Sequence, residues 1–381
     1  MNRREFIING ALVAAGTVVA RGLSPAWADS LGALTAAGTV SGTVYGAGGR
    51  PLPGVLVSDG TQVVRTEARG SYQLPLPATG ALIRLSIPSH YWPLDNRWFD
   101  RVAAADTATC DFALRPNRQT TPWQMIQVTD IHYLSRAAQS LRAFCTQVNA
   151  LQPGPAFLMA TGDLVMDSNR MTDDTVILQA FADYSAAMAP LQAPLFNLPG
   201  NHDHPGVLGK LPRTDPLFGL RGYEALVGPA WYSLNYAGVH LITLEASYVD
   251  PATGAFETRI NPECLAWLRA DLALTPPSMP LLIFSHQGPL FWGGNPDWSN
   301  PEELLAALAG RKVLGVFYGH THDTIDYLWG PEHFYVGGAL SGGWWNGPCV
   351  DGQPRGFRIL TVTPQGVATQ YVTAANGASG A

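Results

Sequence analysis

Five apolar runs mark the middle of this chain, and each ends in polar or ionisable residues. They are MIQVTD from Met125, AFLMATGD from Ala156, LFNLPGNHD from Leu195, LLIFSH from Leu281 and VLGVFYGH from Val313. Runs of this length with β-branched and aromatic members predict buried strands. Between the first two, Leu141, Phe144, Val148 and Leu151 fall on one helical stripe; before the fourth, Leu265, Leu268 and Leu272 form another. Both stripes read as core-facing helix surfaces. Strands alternating with helices predict an α/β domain over residues 120–329, whose chemistry belongs at the polar strand ends. Residues 230–246 read as a hairpin in the same sheet system.

The flanks have a different rhythm. Residues 38–115 hold short runs of strand formers, punctuated by Gly48-Gly49, Pro51, Asp59-Gly60 and Gly70, which predicts a small all-β sandwich. Val55 with Val57, and Tyr72 with Leu74, would each share a face, and Leu85 and Ile87 extend a later strand. Residues 330–374 return to β runs that would close a sheet against the core.

Composition narrows the classes. Of 381 residues, 46% are apolar and 14% charged, unlike a disordered chain. The formal net charge is −6, and no basic cluster lies beyond the N-terminus. Binding to nucleic acid through its phosphates is therefore not expected. Cys110, Cys145, Cys264 and Cys349 form no CxxC pair; one or two bridges are compatible with the sequence but not demanded by it.

The first 28 residues look like an address. Arg3 and Arg4 precede an apolar stretch to Ala20, and Ala26-Trp27-Ala28 fits a small-x-small cleavage site. The twin arginine resembles a Tat signal, so the Tat export machinery is an expected partner and the mature protein is expected in the periplasm or outside the cell. A retained membrane anchor is the competing reading. The oligomeric state is not legible.

Five motifs stand at the five strand ends: Asp130-Ile131-His132, Gly162-Asp163, Gly200-Asn201-His202-Asp203, Ser285-His286 and Gly319-His320-Thr321-His322. Six of the nine histidines fall in or beside them: 132, 202, 204, 286, 320 and 322. A lone histidine of this kind is more often surface or locally hydrogen-bonded. Convergence at successive strand ends instead suggests a two-metal site, because imidazole and carboxylate together suit divalent transition metals. A carboxylate such as Asp163 has two oxygens and can bridge two cations, and the Asn201 amide offers a neutral oxygen. His240 reads as a strand residue, and His90 and His333 as surface. Asp203 reads as a loop hydrogen-bonder, and His204 as either solvent-facing or substrate-facing.

The full set resembles the calcineurin-like metallophosphoesterase family, whose five blocks are present in order across some 200 residues. The resemblance implies a four-layer αββα core. It implies that Asp130, His132, Asp163 and His322 hold one divalent ion, and that Asp163, Asn201, His286 and His320 hold a second, the metals being Fe, Mn or Zn. It implies that His202 faces the substrate as proton donor or charge stabiliser, with Asp163 the shared catalytic carboxylate. The N-terminal segment resembles a transthyretin-like or carboxypeptidase-regulatory-like sandwich, as found in a bacterial secreted branch of the family. SGGWWNGPCVDGQPRG at 341–356 resembles a C-terminal block of that branch.

The expected activity is hydrolysis of an extracytoplasmic organic phosphoester by a metal-activated hydroxide, with a lean to phosphodiesters and a small-molecule or envelope-derived substrate. A phosphomonoesterase would use the same motifs. A non-catalytic glycan or envelope binding module with a vestigial metal site is the alternative from another class; the intact Asp163 and His202 count against it. DIHYL does not supply the H-x-H-x-D-H cluster of a metallo-β-lactamase-like hydrolase. Trp292, Trp298, Trp344 and Trp345 lie in Gly-rich stretches after two of the motifs. They read either as loop anchors or as an aromatic wall beside the metals, with His204 a further substrate-binding candidate.

Overall fold

The computed structural model describes residues 36–209, 211–250, 253–289, 298–329 and 331–375. The expected export signal at residues 1–28 and Trp292 lie outside them. No helix among the described residues is long and apolar enough to cross a membrane.

The core strands are β1 (Trp123–Val128), β2 (Leu158–Thr161), β3 (Leu195–Leu198), β4 (Tyr232–Tyr236), β5 (Val239–Thr243), β6 (Leu281–Phe284), β7 (Val313–Tyr318), β8 (Asp326–Trp329), β9 (Glu332–Val336), β10 (Gly356–Thr363) and β11 (Gly366–Thr373). They form two sheets. The first runs β3-β2-β1-β10-β11, with β1 to β3 parallel and the C-terminal hairpin antiparallel on the edge of β1. The second runs β4-β5-β6-β7-β9-β8, parallel from β5 to β9. The segment after residue 330 is thus shared out: β9 extends the second sheet, and β10 and β11 extend the first.

Period-two alternation sorts the side chains into layers. Met125, Met159, Leu282, Phe284 and Phe317 point between the sheets into one apolar core, with Phe157, Tyr232, Leu241 and Leu360. Their strand neighbours Ile126, Leu158, Leu281, Ile283 and Val316 point outward to a second core under the helices. Those helices are α1 (Ala138–Asn149), α2 (Asp174–Met188), α3 (Leu220–Leu226), α4 (Pro262–Leu274) and α5 (Pro301–Leu308). The sequence stripe on α1 is buried at Leu141, Phe144 and Val148, and that on α4 at Leu265, Leu268 and Leu272. Asp173 caps α2 by accepting from the Thr175 N–H at 2.8 Å. Asn261 caps α4 by accepting from Glu263 N–H at 2.9 Å, with Pro262 at the first position, where its missing N–H costs nothing. The result is the αββα layering.

The N-terminal region is β-rich. Its sheets pair Ser71–Pro77, Ala36–Tyr45, Phe112–Pro116 and Tyr91–Pro93 in one order, and Val63–Arg65, Leu56–Ser58, Ala81–Ser86 and Phe99–Val102 in another. Val55, Val57, Tyr72, Leu74 and Leu85 fill its own core. Ile87 bridges Leu234 on β4, and the Asn235 N–H donates to the Ile87 carbonyl at 2.7 Å. Trp98 packs 4.5 Å from Tyr232, and Trp231 Nε1 donates to the Gly60 carbonyl at 2.8 Å. The described cysteines are all buried and unbridged.

Candidate metal centre

Three of the five motifs leave their strands through left-handed turns. Asp130, His132, Asp163, His320 and His322 have φ of 51°, 43°, 52°, 72° and 57°. Non-glycine residues seldom adopt this left-handed region, and such strain gathers at functional sites. The turns are packed so closely that glycine is required beside them. A Cβ on Gly319 would lie 2.0 Å from Thr129 Oγ1 and 2.3 Å from Asp130 Oδ2, and one on Gly200 would lie 2.2 Å from Asp163 Oδ1.

These turns bring the side chains together. Three groups of ligand atoms form: Asp130, His132 and His322; His132, Asp163 and His202; and Asp163, His286 and His320. His132 Nε2 and His322 Nε2 stand 3.1 Å apart, and His322 Nε2 is 3.2 Å from Asp130 Oδ1. Asp163 turns its two oxygens opposite ways, Oδ2 at 3.3 Å from His132 Nε2 and Oδ1 at 3.2 Å from His286 Nε2. Asn201 Oδ1 lies 3.1 Å from His286 Nε2, which brings the amide into the second group.

The electrostatics fit cations. Burial pushes the His132 and His320 imidazoles down to about 4, so both are neutral with a free lone pair at neutral pH. Burial alone would raise the Asp130 carboxyl, but His322 outweighs it and holds the group near 2. Burial likewise opposes ionisation of Asp163, and the surrounding His286, His202 and His132 hold it well below the usual range. Burial opposes a proton on His286, yet Asp163 draws one there and raises it to about 10. A cation between these two groups would displace that proton. Asp130 Oδ1 has no hydrogen-bond partner although it is buried, as expected of an atom turned to a cation. The donor set is imidazole, carboxylate and one amide oxygen, which suits Fe, Mn or Zn without choosing between them.

Neighbouring groups orient the ligands. His286 Nδ1 lies 2.9 Å from the Thr161 carbonyl, and His322 Nδ1 is 2.6 Å from the Gly342 carbonyl, so each ring turns Nε2 inward. His202 is partly open to solvent. Its Nδ1 lies 3.0 Å from Asp167 Oδ1, and its Nε2 is 3.9 Å from Asp163 Oδ2. Asp167 was not singled out in the sequence; its position four residues past Asp163 was the available signal. Asp203 is a loop anchor, accepting backbone N–H groups from Gly200, Leu164 and Val165 at 2.9–3.1 Å.

Two expectations need correction. His204 faces neither solvent nor substrate: it is buried, with Nδ1 2.9 Å from the Gly200 carbonyl and Nε2 3.5 Å from the buried Glu245. Trp298 is no wall residue either. It is 1% exposed and belongs to the apolar core under the helices, where its hydrophobic area is better spent. Trp345 is half-buried and anchors its loop, with Nε1 3.1 and 3.0 Å from the Ile131 and His132 carbonyls. Trp344 alone among the described three is exposed beside the cluster, its ring centroid 4.9 Å from that of His322.

Comparison with known proteins agrees with this geometry. The calcineurin-like phosphoesterase model matches residues 124–324, and the model for the N terminal of calcineurin-like phosphoesterase matches residues 38–117. The chain belongs to the calcineurin-like phosphoesterase family. It is 27% identical over 222 residues to the 3',5'-cyclic adenosine monophosphate phosphodiesterase CpdA of Vibrio vulnificus, covering 54% of this chain and 72% of that one. It is 24% identical over 272 residues to a 3',5'-cyclic-nucleotide phosphodiesterase of Nostoc sp., covering 66% and 92%. It is also 26% identical over 235 residues to the serine/threonine-protein phosphatase CPPED1 of Danio rerio, covering 59% and 70%. The chain is therefore a metallophosphoesterase, and its His/Asp clusters are those of a binuclear metal site.

Proposed function

We propose that this metallophosphoesterase hydrolyses an organic phosphodiester, with two divalent ions held on either side of Asp163. The observation that carries the reading is Asp163 itself, whose two oxygens face His132 on one side and His286 on the other at 3.3 and 3.2 Å. Asp130, His132, Asp163 and His322 would hold one ion, and Asp163, Asn201, His286 and His320 the other. Such a pair lowers the pKa of a water and draws charge from the phosphoryl oxygens.

The chain supplies the rest. His202 sits at the open side of the cluster, with Asp163 Oδ1 accepting its backbone N–H at 2.9 Å. A proton on His202 Nε2 is placed for the leaving oxygen, and Asp167 holds the other ring nitrogen. The lean to diesters draws on the two cyclic-nucleotide phosphodiesterases among the relatives; the phosphatase among them keeps a monoester reading alive. Arg3, Arg4 and the Ala26-Trp27-Ala28 site support export through the Tat machinery and membership of the bacterial secreted branch. The two expectations are tested together on protein from its native host. Mass spectrometry should find Asp29 as the N-terminus, and rates on nitrophenyl phosphate, bis-nitrophenyl phosphate, glycerophosphodiesters, nucleotides and sugar phosphates should favour a diester. An intact Met1 in a soluble cytoplasmic fraction overturns export, and a preference for the simple monoester overturns the diester reading.

A further inference from the structure

Trp344 is an anomaly. It leaves 46% of its surface in solvent, sits at φ 51°, and is followed by Trp345 at φ 70°. Two consecutive aromatic residues in the left-handed region cost stability, and an exposed indole gains little hydrophobic energy in return.

The loop that carries it is held firmly. Ser341 N–H donates to the Asp130 carbonyl at 3.1 Å, Leu340 N–H to the Thr129 carbonyl at 3.0 Å, and Trp345 N–H to the Ser341 carbonyl at 2.7 Å. Trp345 is pinned by its indole N–H to the 131–132 backbone, with the Arg355 guanidinium 4.9 Å over its ring. Trp344 is therefore fixed to the same backbone that turns His132 and His322 inward. Its ring centroid lies 4.9 Å from His322 and 6.2 Å from His132. A phosphate placed on the metal cluster would leave its substituent beside this ring.

The surroundings choose among flat or apolar occupants. Arg136 Nη2 lies 3.4 Å from both the Trp344 backbone carbonyl and Asn346 Oδ1, so the guanidinium holds the backbone of the turn that carries the indole. An acyl chain needs a contiguous apolar patch, and Trp344 is the one of the three described candidate tryptophans that is exposed beside the cluster. A planar heteroaromatic ring suits an exposed indole better, because it can stack face to face on it.

Resting on the phosphodiesterase reading above, we infer that Trp344 is the base-stacking platform of the substrate site, and that the substrate class is a nucleoside phosphodiester. The test uses the purified holoenzyme as wild type, Trp344→Ala and Trp344→Phe. KM is measured for 3',5'-cyclic AMP and for glycerophosphocholine, a diester without a base. Binding of AMP and of ribose 5-phosphate is measured by equilibrium dialysis. Trp344→Ala should raise KM for cyclic AMP and Kd for AMP about 5–150-fold, the usual worth of one base stack. Trp344→Phe should keep most of the affinity, and shifts for the two base-free ligands should be several-fold smaller. Equal shifts for base-bearing and base-free ligands, or none for either, overturn the platform. If the wild type cleaves nitrophenyl phosphate but neither diester, the phosphodiesterase reading fails by itself, and the AMP against ribose 5-phosphate ratio still decides the platform.

Discussion

Two clusters of buried histidine and aspartate can be compared among the described residues, and one of these two has the form of a reactive site. At the junction with the N-terminal region, His240 Nε2 lies 2.6 Å from Asp271 Oδ2 and His240 Nδ1 lies 2.9 Å from Asn235 Oδ1. Ser233 Oγ is 2.8 Å from Asp271 Oδ1 and 2.9 Å from Ser86 Oγ, so the chain of contacts closes across the junction. His240 sits inside a regular strand, paired with Asn235 across a hairpin. Every ring nitrogen and carboxylate oxygen there has a protein partner. At the metal centre Asp130, His132, Asp163, His320 and His322 stand on left-handed turns, His132 Nε2 faces His322 Nε2, and Asp130 Oδ1 makes no hydrogen bond although His322 Nε2 lies 3.2 Å away. Saturation makes a fastening; convergence without saturation makes a place for a cation.

The sharpest way to break the contrast is Asp163→Ala. Both ligand groups lose their common carboxylate, and kcat/KM on bis-nitrophenyl phosphate should fall by about 10³-fold or more, since metals contribute several kcal/mol to such transition states. A variant that keeps two equivalents of metal and a tenth of the activity would dissolve the distinction. His202→Ala should come next. It should retain its metals, checked by elemental analysis, and lose about 10²–10⁴ in rate, the range for a missing general acid. The penalty should shrink when the leaving group is an acidic phenol; equal penalties for phenyl and nitrophenyl esters remove His202 from that role.

At the other cluster the readout is stability. Asp271→Ala leaves His240 and Ser233 buried without their carboxylate acceptor and should cost about 1–3 kcal/mol in denaturant unfolding, with kcat preserved per folded molecule. Lost activity at unchanged stability would mean that the junction serves catalysis after all. The smallest effect concerns the thiols. Burial pushes the Cys110 thiol up to about 12, with Asp100 adding to it, and burial pushes Cys145 up to about 11. Both stay protonated at pH 8, so alkylation of the native protein should be slow. Denatured protein without reductant should then titrate as four free thiols, the number left unbridged here; a count of two would reveal a bridge.

How much of this was legible beforehand differs by residue. Asp130, Asp163, Asn201, His286, His320 and His322 announced themselves because each ends an apolar run, where an unpaired polar group is expensive to bury. The helices α1 and α4 were legible for the same kind of reason, a stripe at 3.6-residue spacing. Asp167 was not, since its place four residues past Asp163 is a weak mark and its role shows only when His202 is seen 3.0 Å away. Nor could the tryptophans be sorted: Trp298, Trp344 and Trp345 share Gly-rich neighbourhoods, yet one is core, one anchors and one stands open beside the ligands.

The sequence by itself determined the strand and helix alternation, the β-rich N-terminal region and the roster of metal-binding residue types, because these follow from local periodicity and from the cost of burying polar groups. Only the tertiary structure decided which of them meet. It set His204 against Glu245 and His240 against Asp271, and it turned the two oxygens of Asp163 to opposite imidazoles. Those choices depend on how two sheets stack and how their loops leave the strands. Contacts between residues 30 to 200 positions apart are fixed by that packing and leave no periodic trace in the chain.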